Sequence, residues 1–365
     1  MSLQDLLPPG VRNLRPYQPG KPIAELAREL GLEEDRIVKL ASNENPLGCS
    51  LQVEQAIRTH AGTVARYPDG SGYELRQSLS AFYKVAPEQL TLGNGSNDLL
   101  EMIAHTFLTP AHHIVVSEYA FAIYALVAEA MGVPVTEVPA RQYAHDLTAM
   151  AAAITPNTRL VFIANPNNPT GTYCTQAQLR QFMRSLSEQV LVVLDEAYLE
   201  YAEEGGVDAA QWVQDFPQLI VCRTFSKAYG LAGLRIGYAI SSSEVAGYLN
   251  RVRQPFNVGT LALCAAQAAL ADQEFVHLGK RCNALGKVQL IQGLAKMPVD
   301  LLPAAANFLC IGLRRPGHAV FTDLLRQGVI VRPLDGYRMP QHLRISIGTE
   351  SENERFLQAL HQVLM

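Results

Sequence analysis

The chain reads as an α/β protein with a large domain, a smaller α/β domain and an N-terminal arm. Three observations carry this. From about Ile37, short apolar runs alternate with longer amphipathic stretches, the pattern of repeated β-α units around a largely parallel sheet. An alanine-rich helical tract from Ser241 to Met297 then separates these runs from a second set of strands. Before Ile37, Pro8, Pro9, Pro16, Pro19 and Pro22 crowd a segment too proline-rich to pack as a helix or inner strand, which predicts an extended arm.

The strands expected in the large domain are His113–Ser117, Leu160–Ala164, Val190–Leu194, Leu219–Arg223 and Ile236–Ile240. Those expected in the small domain are Asn307–Ile311, Val329–Pro333 and Leu343–Ile347. The domain boundaries that follow are 1–36 for the arm, packing with the small domain, 37–250 for the large domain and 251–365 for the small one. Parallel sheets bind ligands outside the carboxyl ends of their strands, so the loops there are the places to search for chemistry.

Composition narrows the function. Of 365 residues, 48% are hydrophobic and 18% charged, ordinary values for a globular protein with a substantial core. A net charge of -4 offers no broad basic face to nucleic acid or an anionic membrane, which points to a small-molecule partner. The six cysteines form no CxxC pair, and Met1 opens no basic-then-apolar leader, so a cytoplasmic protein with reduced thiols is expected. Apolar strings such as Leu261–Ala271 fall well short of the roughly 20 residues of a membrane span. The adjacent His112 and His113 sit at a strand start and point to opposite faces, so no metal site is assigned to them.

Four loops gain meaning from their order. Gly93-Asn94-Gly95-Ser96-Asn97 precedes a helical run, whose free amides could cradle a phosphate. Asp98 breaks the GxGxxG spacing and argues against a dinucleotide. Asn165-Pro166-Asn167-Asn168-Pro169-Thr170-Gly171 is a stiff loop able to aim a side-chain amide, although alone it reads as a turn whose asparagines serve their own backbone. Asp195-Glu196-Ala197-Tyr198 delivers an acidic pair at a strand end. No Gly-Lys pair followed by Ser or Thr is present, so the pair does not belong to a nucleotide triphosphatase; a carboxylate there suits a protonated ring nitrogen instead. The segment Arg223 to Arg235 sets Lys227 among hydroxyls and glycines with a second cation eight residues on. Neighbouring cations favour loss of a lysine proton, and the free amine can then form an imine.

With these loops the chain resembles the fold-type I aminotransferases and, within them, the histidinol-phosphate aminotransferases. The resemblance runs from Val11–Tyr17 and Asn43-Glu44-Asn45-Pro46, through Arg66-Tyr67-Pro68-Asp69 and the four loops, to Leu343–Thr349. It implies a seven-stranded, mostly parallel sheet between helices and pyridoxal 5'-phosphate as cofactor. Lys227 is then the catalytic residue, holding the cofactor covalently and moving a proton during the reaction. Asp195 keeps the pyridine nitrogen protonated, and Asn168 and Tyr198 bond the phenolic oxygen. Ser226, Thr224, Arg235, Gly95, Ser96 and Asn97 hold the phosphate, and Tyr67 reaches it from the neighbouring subunit of a homodimer. The stacking aromatic is Phe121 if the family's Pro-Thr-Tyr-x-x-Tyr is aligned on Tyr124; alternatively Tyr119 reaches the ring.

For the substrate, the resemblance implies Arg344, with Arg332, Tyr17 and Asn43. The reaction implied exchanges an amino group between L-glutamate and imidazole acetol phosphate, giving histidinol phosphate and 2-oxoglutarate, a step of histidine biosynthesis. An aromatic or broad-range aminotransferase and a threonine-phosphate decarboxylase share the same machinery. A transcriptional regulator built on this fold would need a DNA-binding domain, for which the chain has neither length nor a basic segment.

Overall fold

A computed structural model of the chain describes residues 2–14, 16, 19–202 and 207–364. Its largest sheet has seven strands in the order Leu90–Gly93, Gly237–Ile240, Leu219–Thr224, Leu191–Asp195, Thr158–Ala164, His113–Ser117 and Val135–Val138. Within the central strands, alternate side chains enter opposite cores, as a two-residue repeat requires. Val161, Ile163, Val192, Leu194 and Val221 face one core with Leu75, Leu79, Leu179 and Phe182. Leu160, Phe162, Leu191, Val193 and Ile220 face the other with Leu99, Leu100, Tyr124 and Leu249. Both faces are covered, so these strands carry unbroken apolar runs rather than an alternating pattern.

Six strands run one way. Gly237–Ile240 opposes both of its neighbours, because the link from Thr224 to Gly237 contains one short turn of 3-10 helix and no crossover helix. The reversal places Gly237, the start of that strand, level with Gly93 and Thr224, the ends of its neighbours. Ala164, Asp195 and Cys222 pair in one row across the next three strands. One edge of the sheet therefore gathers Gly93, Thr224, Asp195 and Ala164.

A second sheet of four antiparallel strands, Arg332–Pro333, His342–Ser346, Phe308–Leu313 and Val299–Leu301, packs against the helices Gln273–Leu294, Gly317–Arg326 and Glu350–Leu364. Val38–Lys39 pairs with Val329–Ile330, tying the chain just before the large sheet to this second unit. The helix Thr260–Ala271 packs instead on Leu51–His60 and Tyr73–Tyr83, and Ala262, Ala265 and Ala266 enter the core under the large sheet. That packing continues past residue 250, where the sequence sets its boundary. Four strands were not foreseen: Val38–Lys39, Leu90–Gly93, Val135–Val138 and Val299–Leu301.

The arm differs from the extended segment expected. Pro9–Arg12 is a short α-helix with Pro9 in its first turn, where a proline forfeits no intrahelical bond. It lies against the helix Ile123–Ala130; a Cβ on Gly10 would stand 2.0 Å from the Glu129 carbonyl. The later helix Ile23–Leu30 packs on the small unit, through Leu26, Ala27 and Ile330.

One buried ion pair braces the sheet beside the site. Arg223 Nε and Nη2 both donate to Glu196 Oε2, at 2.9 and 2.5 Å, and Nη2 also reaches Asp208 Oδ1 at 2.6 Å. The guanidinium lies 4.7 Å from the Tyr83 ring centre. Arg223 and Glu196 each neighbour a cavity residue, Thr224 and Asp195, yet point to the other side of the sheet. Removing one partner leaves a bare buried charge, so Arg223→Met should destabilise the protein by roughly 3–5 kcal/mol. The double variant Arg223→Met/Glu196→Gln should recover most of that, as read from the midpoint of denaturant unfolding.

Candidate active site

A cavity of about 290 Å³ opens at this edge. Its floor comes from the large sheet and its roof from the small unit and the segment 41–44. Thr224, Ser226, Lys227, Asp195, Asn168 and Tyr198 line it, as do Ser96, Asn97, Phe121, Arg235, Asn43, Arg332 and Arg344.

Asp195 ends its strand with the carboxylate buried. Tyr124 donates its hydroxyl to Oδ2 at 2.8 Å and the Ala197 amide donates to Oδ1 at 3.1 Å. Burial raises the Asp195 pKa, and the two hydrogen bonds and the Lys227 charge pull it back. With no arginine or lysine in ion-pair distance among the described residues, this carboxylate lacks a direct counter-charge.

Lys227 follows the strand Leu219–Thr224. Its Nζ donates to the Ser42 carbonyl at 3.0 Å and lies 5.7 Å from the Tyr198 ring centre. Its pKa is pushed down to about 7, first by burial and then by the charge of Arg344, with Arg235 adding to the effect; Glu44 and Asp195 act against it. A lysine so placed supplies a free amine near neutral pH.

A third wall is built for an anion. The helix Ser96–Phe107 begins at the cavity without a side-chain cap, so its first amides are available there. Beside it, Thr224 Oγ1 and Arg235 Nη1 both donate to Ser226 Oγ, at 2.9 and 3.2 Å. Gly95 adopts φ +80°, and a Cβ there would meet Arg235 Nη2 at 2.3 Å, so the approach of this guanidinium to the helix start requires glycine. Gly95 does not itself line the cavity.

The roof carries two more cations. Arg332 and Arg344 are direct cross-strand partners, so both side chains leave the same face of the small sheet. Arg344 is buried; it donates to Asn168 Oδ1 and to the Ala41 carbonyl, each at 2.6 Å. Like charges at paired positions oppose sheet formation unless an anion or another acceptor offsets them. Asn43 holds a left-handed φ of +55°. Its amide donates to Ser346 Oγ at 2.8 Å and its side chain to the Tyr198 hydroxyl at 2.9 Å, while Asn307 donates to its carbonyl. Tyr198 is pushed up to about 12, chiefly by burial, and stays protonated.

Tyr67 is 82% exposed and stacks on Phe256 at 4.7 Å, outside the cavity of its own chain. Between the two stacking candidates, Phe121 lines the cavity, whereas Tyr119 pairs with Tyr143 at 5.6 Å. Tyr17 lies outside the described residues. In the proline-rich loop, Asn165 pairs with the backbone of Cys174, Asn167 donates to the Tyr119 carbonyl 48 residues away and to Thr170 Oγ1, and Asn168 faces the cavity. Sequence reasoning missed Tyr124, Ser42 and Glu44 as lining residues. A buried phenol must find an acceptor, which marks Tyr124 on its helix; the identity of that acceptor is a long-range fact.

An anion cradle, an unpaired buried carboxylate and a low-pKa lysine on separate walls fit a flat basic ring bearing a phosphate. The chain matches aminotransferase class I and II over residues 35–360. It is 51% identical to histidinol-phosphate aminotransferase 2 of Nitrosospira multiformis, covering 99% of this chain and 92% of that one. It is 52% identical to the Pseudomonas fluorescens protein of the same name, covering 98% and 97%. Among solved structures, histidinol-phosphate aminotransferase from Sinorhizobium meliloti in complex with pyridoxal-5'-phosphate superposes with a TM-score of 0.88 at 28% identity, over 98% of this chain and 96% of that one. L-threonine-O-3-phosphate decarboxylase from Porphyromonas gingivalis shares the fold, with a TM-score of 0.82 at 22% identity over 90% and 99%. By full-length identity above one half, the chain belongs to the histidinol-phosphate aminotransferases of aminotransferase class I and II.

Proposed function

We propose that this protein transfers an amino group between histidinol phosphate and 2-oxoglutarate, in the cytoplasm and as a homodimer, with pyridoxal 5'-phosphate held at Lys227. The observation that carries the substrate assignment is the cross-strand pair Arg332 and Arg344, two cations on one face of the small sheet at a cavity that also contains Lys227. Relatives about half identical throughout bear the same assignment in their names. When bound, the cofactor supplies an electron sink for the bond broken at the substrate carbon.

The chain's residues divide the remaining tasks. Arg235, Thr224, Ser226 and the amides at Ser96 and Asn97 hold the cofactor phosphate, with charge-assisted bonds from the guanidinium. Asp195 keeps the ring nitrogen protonated. Asn168 and Tyr198 donate to the phenolic oxygen, and Phe121 stacks on the ring. Lys227, as a free amine, takes the proton from the substrate carbon and returns it to the cofactor side, a transfer that needs a pKa near the working pH. Arg344, assisted by Arg332, Tyr17 and Asn43, binds the substrate phosphate or the glutamate carboxylate. Tyr67, exposed on its own subunit, extends to the cofactor phosphate of the other.

Three outcomes are expected. Mixed with amine donor alone, the purified protein should lose its visible cofactor absorbance far faster with histidinol phosphate than with phenylalanine or phosphothreonine. Phenylalanine as the fastest donor would make this an aromatic aminotransferase, and release of carbon dioxide from phosphothreonine a decarboxylase.

Competitive acetylation of the cofactor-free protein, read by mass spectrometry, should titrate Lys227 near pH 7. The proton is retained below that pH and lost above it, so labelling should level off by about pH 8.5, while a lysine at its ordinary value keeps gaining reactivity toward pH 10.

For the dimer, Tyr67→Ala and Lys227→Ala should each be at least tenfold impaired, and mixing them under subunit exchange should restore activity. A hybrid has one site with both residues intact only if Tyr67 serves its partner's site; no recovery on mixing would place Tyr67 in its own chain's site or outside the chemistry.

A further inference from the structure

We infer that Tyr124 is a positioning residue for the reaction, acting through Asp195 as the hydroxyl that holds this carboxylate ionised and in one orientation against a protonated ring nitrogen. The inference rests on the functional reading above and assigns Tyr124 a role exerted through Asp195.

The geometry leaves Tyr124 little freedom. It is 1% exposed, its ring stacks on Phe162 at 4.9 Å with an interplanar angle of 12°, and the edge contact with Phe121 at 5.7 Å closes another side. The hydroxyl meets Asp195 Oδ2 at 2.8 Å. Burial and the neighbouring carboxylate hold the phenol well above 10, so it serves as a donor throughout the working pH range. The other groups facing Asp195 are the Ala197 amide on Oδ1, the Lys227 amine, and the Cys222 thiol and Tyr198 phenol, both kept neutral by burial. Oδ2 has Tyr124 as its one hydrogen-bond donor among the described residues. Without the hydroxyl, burial favours a protonated Asp195, and a neutral carboxyl group cannot pair with a pyridinium.

The test compares equilibrium binding of pyridoxal phosphate with that of its carbocyclic analogue, in which a C–H replaces the ring nitrogen. Wild-type protein and Tyr124→Phe are stripped of cofactor and titrated with each. The variant should bind pyridoxal phosphate about tenfold more weakly, equivalent to about 1.4 kcal/mol, and bind the analogue unchanged. Equal losses for both ligands would show a merely structural tyrosine, and no loss for either would show an idle one; each overturns the inference. If the wild-type protein itself does not prefer pyridoxal phosphate over the analogue, the functional reading falls, and the inference with it. Should Tyr124→Phe fail to fold, 3-fluorotyrosine at position 124 keeps the packing and makes a stronger donor. Pyridoxal phosphate should then bind more tightly with the analogue unmoved, and an absence of any ligand-specific change overturns the role.

Discussion

The register of three parallel strands is the constraint on which the site depends. Ala164 and Asp195, the last residues of their strands, stand in one row with Cys222, two residues before its strand ends at Thr224, so the loops that follow open into the same space. A slip of one residue in any strand would turn its last side chain to the opposite face. Asp195 would then leave the cavity and Glu196 would enter it, losing Arg223. The Arg223–Glu196 pair and the acidic floor of the site are consequently two faces of one alignment. The antiparallel strand Gly237–Ile240 serves the same edge: its start lies beside Thr224 and Gly93, which brings Arg235 to the helix beginning at Ser96.

Charge burial at that edge is unfavourable unless the charges answer one another. Asp195, Lys227, Arg235 and Arg344 converge on one small cavity, and the result is legible in the directions in which Asp195 and Lys227 shift. Lys227 loses proton affinity to burial and to Arg344 before any other influence, while Asp195 gains it from burial alone. The cavity thus holds a lysine ready to act as a base and a carboxylate ready to accept a cation. Neither state is favourable in isolation. The two apolar cores packed on either face of the large sheet supply the cohesion that lets the sheet edge carry this tension.

Much of this was legible in the chain before any coordinates. Strands such as His113–Ser117 and Leu219–Thr224 carry unbroken apolar runs, Ile114 to Val116 and Leu219 to Cys222, because both faces are buried, and such runs stand out. Val135–Val138, an edge strand, is largely open to solvent and carries Thr136 and Glu137, so no periodic signal distinguishes it. The direction of Gly237–Ile240 had a physical cue, the absence of a crossover helix before it, that a reading of strands alone passes over. In the site, Asp195 announced itself as an acid directly after an apolar run, and Lys227 and Arg235 as two cations in the glycine- and hydroxyl-bearing segment that follows the next one. Tyr124 did not: it sits within the apolar helix Ile123–Ala130, and its acceptor is 71 residues away. Ser42 was equally opaque, and Asn43 was reached only through the family resemblance, because their contacts with Lys227 and Ser346 bridge the two units of the chain.

The division between the two units also explains how one scaffold serves several chemistries. The large sheet supplies the lysine, the buried carboxylate and the anion cradle, and its fold is shared with an L-threonine-O-3-phosphate decarboxylase. Arg332 and Arg344 are carried by a different sheet, on antiparallel strands whose side chains can change without disturbing the parallel register. Arg344 couples the halves, since one guanidinium bonds Asn168 from the large unit and the Ala41 carbonyl of the linking segment while depressing the pKa of Lys227. An anion drawn to Arg344 weakens its pull on the lysine and raises the proton affinity of that amine. Under the proposed assignment of the substrate anion to Arg344, binding at the roof strengthens the base on the floor, and the coupling needs no movement of either sheet.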